Sequence, residues 1–345
     1  MVEVTAVTRK ADARSVTMTD VARRAGVSQT TVSLVMNNVP AANIPAETRQ
    51  RVVEAIQELG YRPNAAARLM RTSRSLTIGM IADEILTTPF AGLMIKGAQD
   101  AAWAAGKLVL LVNTDKHEDI ERAAIELMLG RQVEGLIYAA MYHQAVNPPA
   151  TVREVPTVLL DCYCEDRSLP SVVPDEVGGG REATEVLLRK GHRRIGLVQD
   201  VEPIPAAAGR FEGYRQALAA FGVPYDPDLV RMERASSQGG YACARELLQM
   251  PNRPSALFCF NDRMAMGAYD AIRQLGLAIP GDVAVVGFDN QEVIAAHLYP
   301  PLSTMELPHY RMGEWAVQHL LESAGVSPAP VQHILACPYI ERQSV

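Results

Sequence analysis

The chain is poor in the features that mark catalysis, metal binding or a membrane. Its five cysteines, Cys162, Cys164, Cys243, Cys259 and Cys337, are odd in number and scattered through 345 residues without a C-x-x-C pair. That argues against a disulfide framework and against a cysteine zinc site; Cys162 and Cys164, around a strand end, read as reduced, semi-buried thiols. None of the seven histidines pairs with another at metal-ligand spacing. No apolar run reaches the eighteen or so residues that span a bilayer, and the opening MVEVTAVTRKADARS lacks the apolar core of a secretion signal, so no membrane contact and a cytoplasmic location are expected. Gly178-Gly179-Gly180 does not complete a dinucleotide fingerprint, and neither a phosphate-binding P-loop nor a nucleophile elbow occurs. An enzyme is not expected, and no cofactor or metal is implied.

Charge is present but unevenly placed. Residues 1–75 hold eleven lysines and arginines against six acids, a balance of +5, which leaves −11 for the rest of a chain whose total is −6. A basic head on an acidic body suits a protein whose head alone meets a polyanion.

The head carries the most informative stretch, Thr17 to Asn37, TMTDVARRAGVSQTTVSLVMN. Thr17 and Asp20 have capping-box spacing, Gly26 supplies a left-handed helix end, and Ser28 caps a second helix with Val32, Val35 and Met36 at helical spacing. The pattern is that of a helix-turn-helix, although an ordinary helical hairpin shares such caps. Gln29, Thr30, Thr31, Ser33 and Asn37 are short hydrogen-bonding side chains suited to base edges and phosphates. Pro45 then opens a third helix, AETRQRVVEAIQELG, with Val52, Val53, Ile56 and Leu59 as its apolar face and Gly60 as its stop. Residues 1–15 read as a disordered arm. Ala65 to Arg71 offers only two helical turns, either a switchable helix that needs a partner or a plain Ala-rich linker.

From Leu76 the pattern changes. Thr77–Ala82, Leu108–Asn113, Val133–Ala139 and Thr157–Asp161 are nearly continuous apolar runs, as buried parallel strands are, and helical spacing fills Phe90–Gly106 and Asp119–Gly130. Arg194–Gln199, Ala256–Phe260 and Val283–Phe288 repeat the pattern, with helices near residues 179–191, 209–222, 239–250 and 263–276. Two such series predict an α/β core of two doubly wound subdomains, with a ligand cleft at the carboxyl ends of the strands. Asp161, Asn261, Asp262, Asp289 and Asn290 fall at those ends, and Arg210 falls in the loop opening a helix after Gln199. Each could simply cap the next helix; together they suit a sugar or another small polar ligand.

The motifs TDVARRAGVSQTTVSLVMN, TRQRVVEAIQELGYRPNAAAR, LRKGHRRIGLV, GRFEGYRQAL, FCFNDRMAMGAYDAIRQLGL, IPGDVAVVGFDN and PPLSTM, in that order, resemble the lactose/galactose repressor (LacI/GalR) family of bacterial transcription factors from Thr17 to Glu341. The resemblance implies a helix-turn-helix headpiece (16–63), a hinge helix and linker (64–75) and an effector-binding core similar to periplasmic binding proteins (76–345). Within that core it implies one subdomain of about 76–174 plus 306–330 and a second of about 175–305 plus 331–345. It implies a repressor, a homodimer on palindromic double-stranded operator DNA, whose affinity for DNA a small effector alters. Gln29, Thr30 and Leu34 fall at base-reading positions of the family, and leucine at the third cannot make the bidentate guanine contact of the arginine often found there. Thr17, Ser28, Thr31, Ser33, Asn37 and Asn64 match phosphate contacts, and Met70 matches the minor-groove wedge, with Ala67 and Arg68 beside it. Arg210, Asn261 and Asp289 match effector contacts, as does Asp161, and Phe90 lies where apolar contacts are expected. Ala206 and Leu307 replace polar residues. A solute-binding protein and a sugar-cleaving enzyme using Asp161 and Asp289 are the rivals; the missing secretion signal and the missing acid/base pair weigh against them.

Overall fold

The computed structural model describes residues 16–37, 42–61, 75–84, 92–322 and 331–345, and the chain divides into two compact units, residues 1–75 and 76–345.

In the first unit, α1 (Met18–Ala25), α2 (Gln29–Met36) and α3 (Ala46–Leu59) enclose a small core of Val21, Ala22, Ala25, Val32, Val35, Val52 and Ala55. Each helix follows from its ends. Thr17 and Asp20 form the reciprocal capping box, Gly26 closes α1 at φ 66°, and the Ser28 hydroxyl accepts from the Thr31 amide at 3.1 Å. One expectation changes on α3: Val52 and Ala55 are its buried side chains, while Val53 stands 37% exposed. Val53 lies about 100° around the helix from Val52, off the buried stripe.

The second unit contains two six-stranded sheets. The first is entirely parallel and holds β1 (Thr77–Ala82), β2 (Leu108–Asn113), β3 (Leu136–Ala145), β4 (Thr157–Tyr163), β5 (Ser171–Pro174) and β11 (Gln332–Leu335) in the order β11-β5-β4-β3-β1-β2. The second, in the order β12-β10-β9-β8-β6-β7, holds β6 (Ile195–Asp200), β7 (Val230–Glu233), β8 (Ala256–Cys259), β9 (Ala284–Asp289), β10 (Ser303–Glu306) and β12 (Tyr339–Ile340), with only β12 antiparallel. Helices α4 (Gly92–Ala104), α5 (Glu118–Gly130), α6 (Glu176–Arg189), α7 (Pro205–Ala220), α8 (Ser237–Leu248), α9 (Asp262–Gln274), α10 (Glu292–Ala295) and α11 (His309–Glu322) intervene. Nearly every strand residue of β4, β6 and β8 is buried, so the continuous apolar runs are explained by helices on both faces.

Several features differ from the sequence expectation, beginning with β3, expected at Val133–Ala139 and found at Leu136–Ala145, and β4, which runs two residues past Asp161 to Tyr163. The stretch 331–345 does not lie wholly with the second sheet, because β11 pairs with β5 in the first, from Gln332 beside Ser171 to Leu335 beside Pro174. Helix α7 starts at Pro205, whose fixed φ suits a first turn, so Arg210 sits within a helix and not in a loop. Cys162 and Cys164 are buried, along with the other three thiols. The chain crosses between the sheets three times, at Pro174–Glu176, at Glu306–His309 and at Leu335–Tyr339.

Candidate ligand cavity and nucleic-acid interface

In the first unit, α2 presents no ionisable side chain at all: its sequence is QTTVSLVM. Gln29 and Thr30 are exposed at its first turn, and the Gln29 amide donates to the Thr19 hydroxyl on α1 at 2.5 Å. Thr31 and Ser33 are half-buried, Leu34 is half-buried beside them, and Asn37 folds back to donate to the Ser33 carbonyl at 2.7 Å. Thr17 and Ser28 use their hydroxyls as caps, so their helix-forming and phosphate-facing roles would coincide at two helix N-termini, where backbone N–H groups already favour an anion. Asn64, Ala67, Arg68 and Met70 lie outside the described residues.

In the second unit, one cavity of about 550 Å³ opens between the carboxyl ends of the two sheets. It brings together Asp161 from β4, Arg210 from α7, Asn261 after β8 and Asp289 from β9. Phe90 lies outside the described residues. Asp262 and Asn290 do not line the cavity. Asp262 accepts from the Thr304 hydroxyl and the Gln291 amide, both at 2.6 Å, and Asn290 bridges Glu306 and Arg342. Asn261 serves two ends: it caps α9 by accepting from the Met264 amide at 2.9 Å, and its side chain borders the cavity.

Arg210 is fixed on every side. Its Nε donates to Oε2 of Glu176 at 2.7 Å, its Nη1 donates to the Phe260 carbonyl at 2.6 Å, and Nη1 lies 3.6 Å from Oδ1 of Asp289. The rings of Phe288 and Phe260 flank the guanidinium at 3.7 and 4.4 Å. A planar, permanently charged group held this way presents its remaining N–H groups in one orientation. The glycines before it have a packing purpose: a Cβ at Gly180 would stand 2.4 Å from the Arg210 carbonyl oxygen, so the close approach of α6 to α7 requires glycine there.

Asp161 and Asp289 both adopt left-handed backbone, φ 59° and 103°, which is strained for residues other than glycine and typical of functional positions. Burial, together with the negative charge of Glu176, raises the Asp161 carboxyl well above the ordinary aspartate value. Burial also raises Asp289, to about 6, against the opposing pull of Arg210. Asp161 Oδ1 is buried without a hydrogen-bond partner among the described residues. Several lining residues were not singled out from sequence, Glu176 and His143 among them. Glu176 sits one residue past the Asp175 cap, where an acid reads as first-turn decoration, and His143 lies on β3 beyond its apolar run.

Residues 75–341 match the family described as periplasmic binding proteins and sugar binding domain of LacI family, and residues 17–64 match bacterial regulatory proteins, lacI family. The chain belongs to the LacI family. It is 32% identical over 328 residues to the HTH-type transcriptional regulator RegA of Clostridium saccharobutylicum, covering 94% of this chain and 98% of that protein. Its fold is similar to the lac repressor dimer bound to operator and the anti-inducer ONPF, with TM-score 0.77, 27% identity, and coverage of 96% and 99% of the two chains. It is also similar to the CelR regulator in complex with cellobiose, with TM-score 0.66, 29% identity, and coverage of 95% and 99%. As a LacI-family member the protein is a DNA-binding transcriptional regulator and not an enzyme. No described helix is long and apolar enough to cross a membrane.

Proposed function

We propose that this LacI-family protein is a repressor that binds a palindromic operator as a homodimer and answers to a sugar or similarly polar small molecule held in the core cavity. In this reading Gln29, Thr30 and Leu34 meet bases, Thr17, Ser28, Thr31, Ser33, Asn37 and Asn64 meet phosphates, and Arg68 and Met70 belong to a hinge (64–75) that enters the minor groove. The observation that carries it is the convergence of Asp161, Arg210, Asn261 and Asp289 from both sheets on one cavity. A molecule spanning that cavity touches two bodies that the chain links at three crossings, so it favours one arrangement of them by its differential affinity. The lac repressor and CelR structures, described respectively as a dimer on operator and as a cellobiose complex, support the same reading. Exposed Leu93 and Trp103 on α4 and Leu108 on the edge strand β2 give a second copy an apolar surface to cover.

Arg210→Ala tests the site. Operator affinity, followed by fluorescence anisotropy on a palindromic fragment, should stay within a few-fold of the parent, while the change in affinity caused by an active sugar should disappear. An unchanged response in the variant would overturn the assignment. A stoichiometry of one chain per palindrome would overturn the dimer.

A further inference from the structure

We infer that the cavity is built for a donor-rich effector bearing an amine, an amino sugar or similar polyhydroxylated amine, whose ammonium group is held by Asp161, and that it rejects acidic sugars. The inference rests on the cavity being the effector site. Its first support is charge. Five carboxylates, Asp161, Glu176, Asp200, Glu202 and Asp289, line the cavity against three arginines. Burial lowers the pKa of His143, so it adds no positive charge at neutral pH, and with Asp161 protonated the remaining four carboxylates still outnumber the three arginines. The core residues outside the described set, 85–91 (ILTTPFA) and 323–330 (SAGVSPAP), contain no ionisable side chain and cannot alter that balance.

The second support is which groups are already paired. Arg210, the cation at the centre of the site, forms ion pairs with Glu176 and Asp289 and none with Asp161. Two of its three nitrogens donate within the protein, which leaves Nη2 for a ligand acceptor among the described residues. An anionic ligand would therefore have to share a guanidinium whose charge two carboxylates already offset. Asp161 is the converse case: 3% exposed, bordering the cavity, strained in its backbone, and with Oδ1 unpartnered. A buried carboxylate oxygen without a donor costs free energy that a ligand N–H or O–H can recover, and an ammonium both donates and compensates the charge. The cavity's other surfaces, Ile204, Ala206, Ala235, Phe260 and Leu307, suit the apolar face of a sugar ring.

The energetics add a proton. Because burial raises the Asp161 carboxyl well above the ordinary value, binding an ammonium displaces a proton from it, and affinity for the amine rises with pH until the amine itself deprotonates.

The test uses the full chain and matched sets: glucose, glucosamine and glucuronate; galactose, galactosamine and galacturonate; and the disaccharide of glucosamine. Thermal shift should show stabilisation by at least one amino member, at least tenfold tighter than its neutral counterpart, and none by the uronates. Calorimetry in two buffers of different ionisation enthalpy should show proton release, and Asp161→Asn should bring the amino and neutral members to within a few-fold of each other. Stabilisation by a uronate, equal binding of amino and neutral members, or no stabilisation by any amino member overturns the inference whether or not Asp161→Asn folds. A neutral sugar that binds and is lost in Arg210→Ala would refute the amine class while leaving the effector cavity intact. Operator affinity that answers to no ligand of any charge would instead remove the cavity's role itself.

Discussion

Arg210 Nε lies 2.7 Å from Glu176 Oε2, with the two side chains only 4% and 5% exposed, so the residue that most directly shapes the cavity is itself held by the first residue of the neighbouring helix. Buried pairs of this kind are costly to half-remove. Glu176→Ala should destabilise the core by about 3 kcal/mol, the lower part of the range for breaking a buried pair, since Asp289 at 3.6 Å still offsets part of the charge. Glu176→Gln keeps an acceptor and should cost clearly less. Chemical denaturation of the three proteins measures both, and equal stabilities would show that Glu176 does not hold the arginine.

The same pairing depends on a glycine. With a Cβ at residue 180 placed 2.4 Å from the Arg210 carbonyl oxygen and 2.6 Å from its Cα, Gly180→Ala forces α6 and α7 apart. An overpacked contact of this kind costs about 1–3 kcal/mol. Ligand affinity should fall as well, because α7 carries the arginine. Gly106→Ala, at a helix end with open space around its Cβ but φ 69°, would lower stability through backbone strain without touching the ligand.

Asp289 gives a pH signature. Its carboxyl is raised in the folded protein, from an ordinary 3.8 to about 6, because burial disfavours the ion. The native state therefore holds a proton that the unfolded state has released between about pH 4 and pH 6. The contribution of this residue to stability is greatest below pH 4 and falls as pH rises through that window. The stability of the parent minus that of Asp289→Asn, measured by denaturation from pH 4 to pH 7, should decline with pH. A difference that rises or stays flat would show that Asp289 is not raised.

How much of this was legible beforehand depends on what each residue had to compete with. β1 and β2 could be bounded to the residue because six consecutive apolar or small residues have no other economical reading. The four-residue strands β5, β7, β10 and β11, the two-residue β12 and the helix α11 were not, since strands this short lack a long run and α11 carries polar residues among its buried ones. Asp161 and Asp289 could be placed at strand ends from pattern alone. That Asp161 would be unpartnered, and Arg210 already paired, could not: both depend on Glu176, whose position in a first turn has an adequate local explanation.

In the DNA-binding unit, Thr17→Ala removes both bonds of the Thr17 hydroxyl, the one it donates to Asp20 Oδ2 at 2.7 Å and the one it accepts from the Asp20 amide at 3.4 Å, and leaves only the bond from the Thr17 amide to the Asp20 carboxylate. The cost of such a cap is about 1 kcal/mol, roughly a fivefold change in local opening. Hydrogen exchange of the α1 amides in the full chain should speed up by about that factor, while the amides of the 76–345 unit keep their rates.

The absence of any charge on α2 has a consequence for how DNA recognition divides. Neutral side chains that read bases displace no counterions, whereas the positive charge of this unit lies on α1 and α3, in Arg23, Arg24, Arg49 and Arg51, of which Arg23 and Arg24 pair with Asp20 and Glu58. Discrimination between operators and total affinity should therefore answer to different variables. Raising salt should weaken every complex steeply while leaving the ratio between a cognate and a mutated half-site nearly constant. Gln29→Ala should lower that ratio, by an amount corresponding to about 1–3 kcal/mol, without altering the salt slope. Ionic strength would then set how much of the protein is on DNA, and the uncharged helix which half-site it prefers.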